Sequence, residues 1–139
     1  MKMLKKAASL ALASALVFSL AACGSEGGKS DGGSSDSDVF MIGGIGPTTG
    51  DNAIYGTAVK NGIQLAVDEI NADGGINGYQ IEYSFEDDQS DSEKSVNAYN
   101  TLKDWGMQML VGTVTSTPCT AVVEETHADN MFQLTPSAT

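Results

Sequence analysis

Residues 39–85 read "VFMIGGIGPTTGDNAIYGTAVKNGIQLAVDEINADGGINGYQIEYSF", and two changes of hydrophobic period inside this stretch decide the fold. Val39 to Ile45 is an almost unbroken apolar run of strand length that ends in the turn-rich "GPTTGDN", which predicts a strand buried on both faces. The period then lengthens. Val59, Ile63, Ala66, Val67 and Ile70 recur at i, i+4, i+7, i+8 and i+11, the single apolar stripe of an amphipathic helix. "NADGG" closes that helix, with Gly74 or Gly75 available for a left-handed residue past its C-terminus. Asn77-Gly78 makes a turn, and "YQIEYSF" returns to strand.

The alternation continues to the end of the chain. "SDSE" offers a capping box in which Ser90 accepts the amide of Glu93, and the helix behind it carries Ala98, Tyr99, Leu102 and Trp105 on one side. "MQMLVGTV" is a third strand. A third helix sets Cys119, Val122, Val123 and Thr126 on one face, and "MFQLT" is a fourth strand. Strand and helix in strict alternation predict a doubly wound α/β lobe, with a parallel sheet, right-handed crossovers and helices on both faces. The sequence ends at "TPSAT", just past the fourth strand, without a helix to cover it. A parallel sheet is normally covered on both faces, so residues 39–139 are expected to be the N-terminal part of a larger lobe.

Upstream, "MKMLKK" precedes sixteen uncharged, mostly apolar residues, Ala7 to Ala22. This is the pattern of a secretory signal peptide, shorter than the roughly 20 apolar residues of a membrane-spanning helix. The run ends in "LAAC", which resembles the lipobox of bacterial lipoproteins. That resemblance implies cleavage after residue 22 and acylation of Cys23, leaving the chain lipid-anchored outside the cell membrane. Cys119 is then the one remaining cysteine and has no internal partner for a disulfide. Residues 24–38, "GSEGGKSDGGSSDSD", are a flexible Gly/Ser/Asp linker spanning on the order of 20 Å. Residues 39–139 hold three lysines, no arginine and fourteen acids, a balance of −11. Such a surface repels nucleic-acid phosphates and anionic lipid, and it fits a soluble domain with a small-molecule or protein partner.

In open parallel sheets, ligands sit at the carboxyl ends of the strands, where helix N-termini point free amides outward. Three loops fall there: "GPTTGDNAIYG", "TVTST" and "TPSAT". Hydroxyls and amides at a helix N-terminus hold a carboxylate, and hydroxyl oxygens with nearby carbonyls accept from an ammonium. A site with both capacities and no formal charge suits a zwitterion. The alternative is that Ser116 or Thr117 only caps a helix whose first residue is Pro118.

Together, the "GPTTGDNAIYG" loop, the "INADGGINGY" junction, the "VGTVTST" segment and "TPSAT" resemble the N-terminal part of the branched-chain amino-acid-binding proteins, the solute receptors of ABC importers. The resemblance covers residues 39–139. It implies two lobes joined by a hinge and closing on an amino acid, with this chain supplying part of the first lobe. It further implies an ABC permease as membrane partner, a monomer, and no cofactor, metal or catalysis. Carried over by position, Ser116 binds the ligand carboxylate through its amide and hydroxyl. Thr139 gives an amide to the carboxylate and a hydroxyl to the ammonium, and the Ser137 carbonyl takes the ammonium as well. Tyr55, in the tyrosine-glycine pair ahead of the first helix, is an aromatic wall, unless it is a half-buried loop anchor. Thr115 lines the pocket. A receptor feeding a signalling system, or a relative binding amides or other small molecules, remains open.

Other chemistries fit the residues less well. Gly44, Gly46 and Gly50 with Glu86–Asp88 approximate a dinucleotide fingerprint, but Pro47 and the stretch to Gly56 separate those glycines from the helix. A hydrolase would pair Ser116 with His127, the single histidine; eleven residues along one helix hold them about 15 Å apart. The acids of "EDDQSDSE" lack the glycine and ligand spacing of an EF-hand loop and read more simply as acids favoured at a helix N-terminus. Cys119 has no basic neighbour in sequence to activate it, so it reads as a small apolar residue.

Overall fold

The computed structural model describes residues 39–139; the expected signal peptide, lipid-bearing Cys23 and linker lie outside the described residues. Four strands and three helices alternate: β1 Val39–Gly46, α1 Ala53–Ala72, β2 Gln80–Asp87, α2 Ser92–Trp105, β3 Met109–Gly112, α3 Ser116–Ala128 and β4 Phe132–Leu134. All pairings are parallel and the sheet order is β2-β1-β3-β4. The doubly wound α/β lobe is therefore as expected. The chain steps from β1 outward to β2, then recrosses β1 to place β3 and β4 on its other side. Right-handed crossovers put helices from opposite steps on opposite faces. Accordingly α1 packs on β1 and β2, while α2 and α3 pack against each other.

The main core lies under α2 and α3, where Ile45, Ala98, Tyr99, Leu102, Met107, Leu110 and Val122 form one buried cluster. Burial of such side chains is worth about 1.5–3 kcal/mol each, so this layer holds the lobe together. Only the C-terminal half of β1 is buried; Val39 is exposed and Phe40 to Ile42 are half-buried. The glycines of β1 are packing residues. A side chain at Gly44 would meet the Phe85 ring, and one at Gly46 would meet Val114, so neighbouring side chains close over the bare backbone. This accounts for two of the three glycines that mimic a dinucleotide fingerprint.

Boundaries moved where distant hydrogen bonds intervene. The cap of α2 is Asp91, whose side chain accepts from the Lys94 amide, not Ser90. The buried Asp88 carboxylate accepts the Ser90 amide at 2.9 Å and draws Ser90 back into the preceding turn, at φ 60. The first helix starts at Ala53, so the Tyr55-Gly56 pair sits inside its first turn and not before it. Ala66 is exposed, leaving Val67 buried and Val59, Ile63 and Ile70 half-buried along that stripe. In α3, Val122 and Thr126 are buried, but Val123 is 47% exposed on the helix flank. Gly74 and Gly75 both take left-handed φ past α1, as the sequence suggests. The Asn71 side chain then exchanges two hydrogen bonds with the Ile81 backbone, at 2.7 and 2.8 Å, satisfying β2 on the side where no strand among the described residues flanks it.

Candidate functional site

The order switch falls between β1 and β3, so the loops leaving these two strands flank a crevice at the carboxyl end of the sheet. On one side α3 begins at Ser116, with Thr115 as an extended N-cap that makes no side-chain cap bond. The capping alternative is thus corrected. Neither Ser116 nor Thr117 caps the helix, and Pro118 occupies the third helical position, not the first. The first intrahelical bond runs from Cys119 N–H to the Thr115 carbonyl at 3.1 Å. The first turn of any helix lacks internal acceptors for its N–H groups, and Pro118 has no N–H. The amides of Ser116 and Thr117 are therefore the free donors at this positive helix end.

The segment after β4 is fastened across this helix end by hydroxyls. Thr135 Oγ1 donates to the Thr113 carbonyl at 2.9 Å and Ser137 Oγ to the Val114 carbonyl at 2.6 Å. The Ala138 amide donates back to Thr135 Oγ1 at 3.0 Å. At the end of this ladder the Thr139 amide donates to Ser116 Oγ at 3.1 Å, with the two hydroxyl oxygens 3.4 Å apart. Ser116, Ser137 and Thr139 are thus brought together at one end of α3. The Thr139 amide, expected to meet a ligand carboxylate, is engaged instead by Ser116 Oγ, and either of the two hydroxyls can donate to the other. A hydroxyl that accepts one bond while donating another is polarised by the first.

Thr115 and Tyr55 are placed differently. The Thr115 hydroxyl oxygen is shielded from solvent and has no hydrogen-bond partner. Tyr55 is 62% exposed, which corrects its reading as a half-buried anchor. It lies in the first turn of α1, the helix that follows β1. The three lysines among the described residues are occupied elsewhere: Lys103 on Asp129, Lys94 on Gln89 and Lys60 over the Phe85 ring. His127 lies exposed in the last turn of α3, at the opposite end from Ser116, so the two form no hydrolytic pair. Cys119 is half-buried, with Gln133 Nε2 donating to its sulfur at 3.6 Å. A hollow of about 320 Å³ opens between α3 and the segment after β4, floored by Cys119, Val123 and Ala138.

Sequence reasoning did not foresee what "EDDQSDSE" does. Asp87 Oδ1 accepts from the amides of Thr48 at 2.8 Å and Gln89 at 3.0 Å, and its Oδ2 accepts from Thr49 Oγ1 at 2.5 Å. Burial pushes the Asp87 carboxyl up, but the Thr49 hydroxyl and the loop amides outweigh it and hold the group below the usual carboxylate range. Asp88, fully buried, behaves oppositely. Burial raises it more than hydrogen bonds from the Ser90 amide and Ser95 hydroxyl lower it, and the Asp87 charge adds to the rise.

A carboxyl whose folded-state affinity for protons is raised favours folding below its unfolded pKa, and that contribution is lost as pH rises through the folded one. Asp88→Asn keeps an acceptor for the Ser90 amide, and its new N–H₂ can donate to Ser95 Oγ, which still donates to the Asp91 carbonyl. The variant is expected to melt at a higher temperature than the parent at pH 7. That advantage should shrink as pH falls toward the carboxylate range, as followed by circular dichroism.

An open parallel α/β lobe with hydroxyls and free helix amides at its switch point is the arrangement in which such folds place small ligands. The sequence matches the family model described as periplasmic binding protein over residues 40–139, and the chain belongs to that family. It is 41% identical over 100 residues to the Leu/Ile/Val-binding protein BraC3 of Rhizobium johnstonii, covering 72% of this chain and 27% of that protein. It is 35% identical over 105 residues to the leucine-, isoleucine-, valine-, threonine- and alanine-binding protein of Pseudomonas aeruginosa, covering 73% and 27%. Among solved structures, the branched-chain amino acid transporter substrate-binding protein LivJ of Streptococcus pneumoniae, in complex with isoleucine, superposes with TM-score 0.69. It is 37% identical and is covered over 29% of its chain, against 73% of this one. The chain thus spans a little over a quarter of the length of these relatives.

Proposed function

We propose that this chain is the first part of a two-lobe extracytoplasmic receptor that captures an amino acid, of branched-chain type, and delivers it to an ABC permease. Binding proceeds by closure of the second lobe, with no covalent chemistry. The observation that supports the reading is the Ser116–Thr139 pair at the N-terminus of α3, where an exposed serine whose hydroxyl is polarised by the Thr139 amide at 3.1 Å stands beside two free helix amides. Ser116 N–H and Oγ–H hold the ligand carboxylate, with the Thr139 amide holding Ser116 Oγ in place. The Thr139 hydroxyl and the Ser137 carbonyl take the ammonium. Tyr55 walls the ligand from the β1 side and Thr115 backs it. The branched-chain assignment is supported by what the relatives' names state for those proteins. Lipid attachment through Cys23 and a monomeric state complete the proposal, and the "LAAC" sequence supports the anchor.

The test is a thermal-shift panel of the twenty amino acids and small amides on the two-lobe receptor lacking residues 1–38. A ligand at a hundred times its dissociation constant adds about 2.7 kcal/mol of stability, so leucine, isoleucine or valine should raise the melting temperature by several degrees. The 139-residue chain alone should respond far less. No shift with any amino acid would overturn the assignment.

A further inference from the structure

The β1–α1 loop leads into the first turn of α1, where Tyr55 stands, yet its own internal bonds are sparse: Ala53 N–H to the Gly50 carbonyl at 3.2 Å and Tyr55 N–H to the Asn52 carbonyl at 3.0 Å. Both bonds are local and neither ties the loop to the sheet. What ties it comes from the next loop. Gly46 and Asp87 end their strands in register as paired residues, so the Asp87 side chain projects beside the point where the loop departs. Its carboxylate gathers the amides of Thr48 and Gln89 and the hydroxyl of Thr49, with the Thr49 amide at a longer 3.4 Å. Three residues on, Ser90 Oγ accepts from Asn52 Nδ2 at 3.0 Å and fastens the far end of the same loop. Both Asp87 oxygens accept from donors of this loop or of its own turn, so the carboxylate fastens the loop to the end of β2.

We infer that Asp87 is a positioning residue for ligand binding, setting the β1–α1 loop, and with it Tyr55, at the β1 side of the crevice. This rests on the amino-acid-binding reading above and adds to it a residue that never touches the ligand. The role is one of hydrogen-bond geometry and not of charge. An asparagine at position 87 keeps Oδ1 for the Thr48 and Gln89 amides, and its Nδ2 can donate to Thr49 Oγ1, so the amide should substitute for the acid. An alanine cannot.

The experiment measures L-leucine binding by titration calorimetry on the two-lobe receptor and its variants Asp87→Ala and Asp87→Asn, with circular dichroism melts beside it. The inference expects Asp87→Ala to bind about tenfold or more weakly while remaining folded, and Asp87→Asn to stay within about threefold of the parent. Quenching of Tyr55 fluorescence by acrylamide, read against a Tyr55→Phe background, should rise in Asp87→Ala alone. Unchanged affinity in folded Asp87→Ala overturns the inference, and so does an equal loss in Asp87→Asn, which would make the charge the cause. Should Asp87→Ala fail to fold, Thr49→Val tests the same clamp by removing one donor, and affinity equal to the parent then overturns it. A parent that binds no amino acid defeats the functional proposal itself, whereas a parent that binds leucine with all variants unaffected defeats only the role of Asp87.

Discussion

Ser116→Ala in the two-lobe receptor should weaken amino-acid binding by roughly ten- to a hundredfold, since a hydrogen bond to a charged group is worth about 1.5–3 kcal/mol and each 1.4 kcal/mol is tenfold in affinity. Two losses combine in this one substitution. The ligand carboxylate loses its hydroxyl donor, and the Thr139 amide, now held by Ser116 Oγ at 3.1 Å, loses the acceptor that fixes the end of the segment after β4. Ser116 is exposed at the first position of α3 and alanine is a good helix former, so the fold should be undisturbed. Titration calorimetry beside a melting curve separates the two effects. Full affinity with an unchanged melt would remove Ser116 from the site.

The same residue illustrates how far sequence could carry the reading. That hydroxyls cluster where the third helix begins is legible from "TVTSTPCT", because strand and helix periods bracket the segment and the doubly wound order puts it at a ligand-bearing end. Which hydroxyl caps, which binds and which merely fastens was not legible. Pro118 looked like a first helical residue, but the chain turns helical two residues earlier, because Cys119 finds the Thr115 carbonyl. Ser137 was readable for its carbonyl; its hydroxyl bond to the Val114 carbonyl depends on a pairing across twenty-three residues that no local pattern encodes. Asp87 and Asp88 show the limit most clearly. They are adjacent in sequence and identical in type, yet one is saturated by donors from the β1–α1 loop and the other is sealed in the interior. Their opposite proton affinities come from burial of Asp88 and from the Thr48 and Thr49 donors that the sheet register brings to Asp87.

Glycines raise the same question on α1, and here two positions six residues apart should respond in opposite directions. Gly56 lies in the first turn of α1, where an added Cβ would overlap the Pro47 carbonyl. Neither partner can give way cheaply: one is helix backbone, the other the backbone of the loop that Asp87 clamps through Thr48. Overpacking costs about 1–3 kcal/mol even where side chains can adjust, so Gly56→Ala should cost about 3 kcal/mol, despite the roughly 1 kcal/mol that alanine gains over glycine in a helix. Gly62, exposed on the same helix, has nothing within 4 Å of its would-be Cβ. There the helix-propensity term acts alone, and Gly62→Ala should stabilise by up to about 1 kcal/mol. For a lobe of this size each kcal/mol moves the melting temperature by about 4–8 °C, so Gly56→Ala should melt more than about ten degrees below the parent and Gly62→Ala up to about 4–8 °C above it. A Gly56→Ala protein as stable as the parent would mean that the first turn of α1 does not rest on Pro47, and the loop holding Tyr55 would then lack the support that the structure gives it.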